Sequence, residues 1–313
     1  MAVTPSFDDL PILESLQLRH SWGVFGTDDE LGTLNRLTDD VVVRAAGEVR
    51  TGERFGLNLE MHQPDPPFFS RRPFNHEIYA LDRNGWDDRL HDFSLQGSTQ
   101  WDGFRHIRCR EFGFYGGVTD DPQAGEPRLG IHHWSRRGIV GRGVLLDVGR
   151  HTELHRSFDP LAGQRITASQ LEEIADQQGV EIEEGDILCI RFGWLSSYRS
   201  LSASERVQMA AEPRPTFSGL ASDESMARRL WDWGISAIAC DNPAVEASPG
   251  DPSQGSLHRR TLACLGMVLG EFFDFDALAP SCAQDGRYAF LFTATPLPLV
   301  GGVGSPANAT AIR

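Results

Sequence analysis

Residues 167–194 read TASQLEEIADQQGVEIEEGDILCIRFGW and place a helix directly before a strand. Thr167 stands at an N-cap position, and Gln170, three residues on, completes a capping box. Gly179 stops the helix. The stretch GDILCIRFGW (185–194) is short, apolar and bounded by glycines, which reads as a strand. The same succession recurs at SDESMARRLWDWG (222–234). Ser222 is its predicted cap, acids fill its first turn, arginines follow, and Gly234 ends it ahead of the strand candidate ISAIACD (235–241). Two more strand candidates are GRGVLLDVG (141–149) and RYAFLFTATPL (287–297). A helix followed by a buried-looking strand, repeated, is an α/β rhythm.

Upstream of residue 130 the chain reads differently, with long Pro- and Gly-punctuated stretches such as QPDPPFFSRRPFNH (63–76). Irregular segments of that length are usually functional or clamp a neighbouring subunit. The segment with His76, Tyr79, Arg83, Trp86 and His91 reads equally as a pocket wall or a subunit contact. No linker divides the chain, so residues 1–313 are taken as one domain with arms up to about residue 130.

Of 313 residues, 40% are hydrophobic and 23% charged, an ordinary globular balance that argues against disorder. The 44 acids against 29 basic residues give a net charge of −15, which disfavours nucleic acid and anionic lipid as partners. No apolar run is long enough to span a bilayer, and the acidic N-terminus (MAVTPSFDDLPILESLQ) does not read as a signal peptide, so a cytoplasmic location is expected. Five scattered cysteines, Cys109, Cys189, Cys240, Cys264 and Cys282, form neither a disulfide framework nor a zinc knuckle, and three sit in apolar runs as small hydrophobes. The chain carries no G-x-S-x-G elbow, no P-loop and no dinucleotide fingerprint, so nucleotide cofactors are not indicated.

One segment concentrates chemistry. LQGSTQWDGFRH (95–106) puts Gln96, Gln100, Asp102 and His106 at i, i+4, i+6 and i+10, a set able to direct three oxygens and an imidazole at one point. By itself this also fits a polar turn with a satisfied histidine, because neutral amides bind zinc poorly.

The segment resembles the H-x-G-T-H-x-D-x-x-x-H signature of the metal-dependent cyclase-like hydrolases, the family that includes bacterial kynurenine formamidase and isatin hydrolase. Gln96 and Gln100 fall on its first two histidines, Ser98 on the glycine, Thr99 on the threonine, Asp102 on the aspartate and His106 on the last histidine. Five further blocks stand in family order: SWGVFGTDDELGTLNRLT (21–38), GIVGRGVLLDVG (138–149), GDILCIRFGW (185–194), CDNPAVEASP (240–249) and LHRRTLACLGMVLGEFFDFDALA (257–279).

The resemblance implies an α/β, swivelling β/β/α cyclase-like fold with a mixed sheet core and outer helices. It implies metal ligands at Gln96, Gln100, Asp102, His258 and Glu271, and His106 as general acid/base. Two glutamines in place of imidazoles harden the site, so one or two ions of zinc or manganese are expected. The pair also resembles a Q-x-x-x-Q-x-D variant of the superfamily that includes a zinc-dependent trans-dienelactone hydrolase, and the retained Asp102, His106, His258 and Glu271 favour a working site.

The expected activity is metal-dependent hydrolysis of a C–N or C–O bond (amide, imide, formamide or lactone) in a small molecule, by a homodimer or homotetramer. The alternatives are a metal-free binding protein on the same fold and a lyase or cyclase using the ion as Lewis acid. Trp101, Arg105, His132, Asp241 and Glu246 are placed on the substrate side. Against that, the residues alone favour a surface ion pair for Arg105, a packed histidine for His132 and a capped turn for Asp241.

Overall fold

The computed structural model describes residues 4–155 and 157–313, so the first three residues of the N-terminal stretch read above lie outside it. Nine strands form one mixed sheet: β1 (Arg54–Gly56), β2 (Gln100–Asp102), β3 (Ile139–Asp147), β4 (Ile187–Arg191), β5 (Ala237–Cys240), β6 (Val268–Glu271), β7 (Ala289–Ala294), β8 (Gly304–Pro306) and β9 (Ala309–Ile312). Their order is β8-β2-β6-β5-β4-β3-β7-β9-β1. The central four, β3 to β6, run parallel. Antiparallel pairs continue the sheet on both sides. Parallel strands covered on both faces need continuous apolar runs, and β5 and β6 are buried at every residue. The sequence of β3 is broken by Gly143 because a Cβ there would come 2.3 Å from the Phe290 ring on β7.

The helices pack outside this sheet, among them α1 (Asp39–Ala46), α2 (Ala168–Gln178), α3 (Trp194–Ser200) and α4 (Glu224–Asp232). Helix α2 is built as expected. Both halves of the Thr167–Gln170 capping box are made, and Gly179 ends the helix with φ of 64°. Helix α4 is capped one residue later than expected. Asp223 accepts from the Met226 N–H at 3.0 Å, while the Ser222 hydroxyl donates to Glu246 Oε2 at 2.8 Å. A carboxylate is the stronger acceptor for a helix N-terminus.

Strand boundaries also differ from the expected ones. β3 starts at Ile139 and stops at Asp147, and Val148 opens a helix. β4 stops at Arg191 because the next three N–H groups turn toward one carboxylate. Asp241 accepts from Phe192, Gly193 and Trp194 at 2.7, 2.8 and 3.0 Å, gathering otherwise orphaned donors at the start of α3.

Upstream of residue 130, strands Asn75–Ala80 and Trp86–His91 form an antiparallel ribbon. His76–Asp88 (2.9 Å) and His91–Glu77 (2.8 Å) pair across it. Ile78 and Trp86 on it are 63% and 68% exposed. Among the described residues, no helix is long and apolar enough to cross a membrane.

Candidate metal centre

The register between β2 and β6 sets Glu271 opposite Gln100, Gly270 opposite Trp101 and Leu269 opposite Asp102. Side chains alternate along a strand, so Gln100, Asp102 and Glu271 share one face while Trp101 points to the other. Trp101 is fully buried, with its ring 5.0 Å from Phe273 and 6.1 Å from Phe292. This corrects its placement on the substrate side: the alternation that aims Gln100 and Asp102 at the site sends Trp101 into the core.

His258 reaches the same face from the N-terminus of a π-helix, Arg259–Leu265. Its Nε2 lies 3.1 Å from Glu271 Oε1 and 3.5 Å from Asp102 Oδ2. One ligand atom from each of Asp102, His258 and Glu271 lies within 4.8 Å of the other two, and all three residues are buried. On the far side of the ring, Nδ1 is 3.0 Å from Glu246 Oε1. Glu246 also accepts from Ser222, from Ser256 Oγ at 3.0 Å and from the Leu257 N–H. Thus Glu246 holds the outer nitrogen of His258. Left-handed backbone at Val245 (φ 53°) and Phe272 (φ 57°) precedes Glu246 and follows Glu271. Non-glycine residues hold that conformation only when the surroundings impose it, and it recurs at functional sites.

Three acids around one imidazole leave an excess of negative charge. Burial opposes charge on His258, yet its hydrogen bonds to Asp102, Glu246 and Glu271 hold its pKa well above the usual value. Burial and the neighbouring Asp102 charge push Glu271 up to about 7. Burial would also raise Asp102, but His106, His258 and the Gln96 amide outweigh it and hold that carboxyl below its ordinary range.

Both glutamines contact the carboxylates through their amide nitrogens. Gln96 Nε2 donates to Asp102 Oδ1 and Gln100 Nε2 to Glu271 Oε2. An amide nitrogen is no metal ligand, so in this arrangement the two residues brace the anionic ligands. Asp102 Oδ2 is buried and faces His258 Nε2 at 3.5 Å and His106 Nε2 at 3.8 Å, while Gln100 Oε1 is buried with no hydrogen-bond partner. Such an acceptor costs roughly 1–3 kcal/mol when left unmet. An orphaned amide oxygen beside two carboxylates and an imidazole fits a divalent cation.

His106 closes a turn on Gly103 O (2.9 Å) at the edge of this cluster, where its side chain is 27% exposed. Its Nδ1 is 3.1 Å from Gln96 Nε2 and its Nε2 is 3.8 Å from Asp102 Oδ2. Burial lowers its pKa; Asp102 pulls the other way, while His258 and Arg71 add to the lowering.

The other expected contacts have neighbours of their own. Arg105 is buried over the Phe114 ring (4.9 Å), with Asp120 and Glu126 as its acidic neighbours. His132 is buried beside His133, its ring 4.0 Å away, and near Glu30 and Arg136. Asp241 is the cap of α3 described above. Conversely, Arg71 was not among the expected residues. Its charge bears on both His106 and Glu271, and its Nη1 is buried without a partner. The only sequence signal for it is a pair of arginines inside the long irregular stretch 63–76. Nearby, a cavity of about 110 Å³ is walled by Met61, His62, Pro67, Phe74, Phe93 and Gly97, among others.

The family model described as "Putative cyclase" matches residues 43–247. A solved structure of "a novel cyclase" is 30% identical, with a TM-score of 0.81 over 94% of this chain and 99% of that one. Isatin hydrolase A from Labrenzia aggregata, solved with benzyl benzoate, is 17% identical, with a TM-score of 0.61 over 89% and 98% of the two chains. A "predicted metal-dependent hydrolase" from Bacillus stearothermophilus is 16% identical, with a TM-score of 0.50 over 84% and 98%. Among the curated proteins none matches the chain.

Proposed function

This chain belongs to the cyclase family, and from that premise we propose that it is a metal-dependent hydrolase opening an amide, imide, formamide or lactone bond in a small molecule. The observation that carries this reading is the convergence of Asp102, His258 and Glu271 within 4.8 Å beside the orphaned buried oxygen of Gln100. These three residues would hold the ion, zinc or manganese, with Gln100 Oε1 the neutral oxygen nearest at hand. When bound, a divalent ion acidifies water and polarises a carbonyl.

The chain's own residues do the rest. His106 is neutral near pH 7 because burial lowers its pKa. It therefore can take a proton at Nε2 from the attacking water and return it to the leaving nitrogen or oxygen. Gln96 Nε2 faces Nδ1, so the tautomer with a free Nε2 would need the Gln96 amide turned to let its oxygen accept from Nδ1–H. The unpartnered Nη1 of Arg71 supplies a cation to which a substrate oxygen would bind. A homodimer or homotetramer is proposed as well, with the exposed Ile78 and Trp86 of the ribbon at the contact.

The test is the metal content per chain by mass spectrometry after zinc and manganese reconstitution, followed by a panel of lactones, amides and formamides. Bound metal with a product heavier than substrate by one water supports the reading. A chain that stays metal-free at micromolar ion, or a product of unchanged mass, overturns it.

A further inference from the structure

Cys109 and Cys264 are far apart in sequence, yet their sulfurs lie 3.4 Å apart in the fold. Both are fully buried in a small satellite core with Leu13, Leu18 and Ala263, against which half-buried Leu16, Trp22 and Phe112 pack. The other three cysteines belong to the main core. Backbone contacts fix the pair. The Cys109 N–H donates to Gly113 O at 2.6 Å, and Cys264 O accepts from the Ser21 N–H at 3.0 Å.

The two thiols are chemically unequal. The hydrogen bond from Cys264 lowers the Cys109 pKa, against burial and with help from Arg259 and Arg110. The same contact, together with burial, raises Cys264. One sulfur is thus biased toward thiolate, the nucleophilic form, beside a second that stays protonated. Their positions matter too. Cys109 follows His106 by three residues, and Cys264 sits on the π-helix that His258 opens.

We propose that Cys109 and Cys264 are a reversible dithiol–disulfide centre, oxidised by a peroxide, that cross-links the segment carrying His106 to the π-helix that begins at His258. The Cys109 thiolate attacks one peroxide oxygen, the O–O bond breaks, and the departing hydroxide leaves as water with the proton given up by Cys109. Cys264 sulfur then attacks the sulfenic acid at Cys109. The S–S bond forms, the S–O bond breaks, and the hydroxyl leaves as a second water with the Cys264 proton. Two thiols lose two electrons, and one peroxide becomes two waters. The sulfurs must close to about 2.05 Å, roughly 1.4 Å of travel, beside the half-buried Leu16, Trp22 and Phe112.

The experiment treats the full chain with hydrogen peroxide, blocks free thiols, and maps the digest by mass spectrometry. Titratable thiols in denaturant should fall from the five of the sequence to about three. A peptide joining Cys109 to Cys264 should appear, and dithiothreitol should reverse both changes. Cys109→Ser and Cys264→Ser should each abolish the cross-link, while Cys282→Ser should keep it. Hydrogen exchange should slow in residues 106–113 and 258–266 of the oxidised protein. Five unchanged thiols, or a bond to another cysteine, would overturn the pair. A bond that leaves exchange in both segments unchanged would overturn the cross-link between the two site segments.

Discussion

Glu246 Oε1 lies 3.0 Å from His258 Nδ1, on the ring edge opposite the one that faces Glu271 and Asp102. The imidazole is therefore held by its outer nitrogen so that Nε2 points between two carboxylates. Glu246 is itself fixed by Ser222, Ser256 and the Leu257 N–H. Carboxylates that orient a ligating histidine typically contribute 10–100-fold to metal affinity. Glu246→Ala should weaken divalent-ion binding by about that factor, measured by competition with a chromogenic chelator. Equal affinity in the variant would remove the orienting role.

Protons compete with the metal for this cluster. Without an ion, Glu271 titrates at about 7 and His258 well above its ordinary value. An ion needs Glu271 charged and His258 neutral, so binding must expel the protons that both hold at lower pH. The sign follows: apparent affinity falls as pH drops through 7 and rises above it. Calorimetric titration in two buffers of different ionisation enthalpy should show proton release on binding near pH 6.5, with the Glu271 share fading above about 7 while the His258 share persists. A release of zero near pH 6.5 would contradict the charge state assigned to the cluster.

What was legible in the sequence was local. The Thr167–Gln170 box and Gly179 mark α2 because a helix end depends on neighbours three or four residues away. Asp102, His258 and Glu271 were assigned through family resemblance, and the fold brings them together through the β2–β6 register. Roles that depend on long-range contacts were not legible. Asp241 gathers three N–H groups from a segment about fifty residues earlier. Glu246 reads as a substrate contact until Ser222 and His258 converge on it. Ser222 loses the helix cap to Asp223 for the same reason, since its hydroxyl is already engaged. Trp101 was misplaced because its neighbours Gln100 and Asp102 both belong to the site, and the intervening side chain of a strand faces the other way.

That last point is open to measurement. Trp101 packs on Phe273 and Phe292 with no exposed surface. Trp101→Ala should therefore cost about 3–5 kcal/mol of stability, the usual range for deleting a buried aromatic. Chemical denaturation would show it as a lower midpoint. In whatever fraction stays folded, metal affinity should match the parent. A stable variant with weakened ligand binding would return Trp101 to the site wall.

His106 separates the chemistry from the metal. It lies 3.8 Å from Asp102 Oδ2 and is 27% exposed, whereas the three proposed ligands are buried. Its Nδ1 rests on Gln96, which also donates to Asp102, so removing the ring leaves that brace in place. His106→Ala should bind zinc or manganese with nearly the parent affinity. Its turnover on whichever substrate the panel identifies should fall by about 10²–10⁴-fold, the span of a general acid/base. The pH profile should also lose the limb that His106 contributes in the parent. Asp102→Asn makes the opposite case: it removes a charged ligand while keeping the shape, so metal and activity should be lost together. If His106→Ala instead loses its metal, the residue is a ligand, and proton transfer belongs to another group. If it keeps both metal and full turnover, His106 has no part in the reaction.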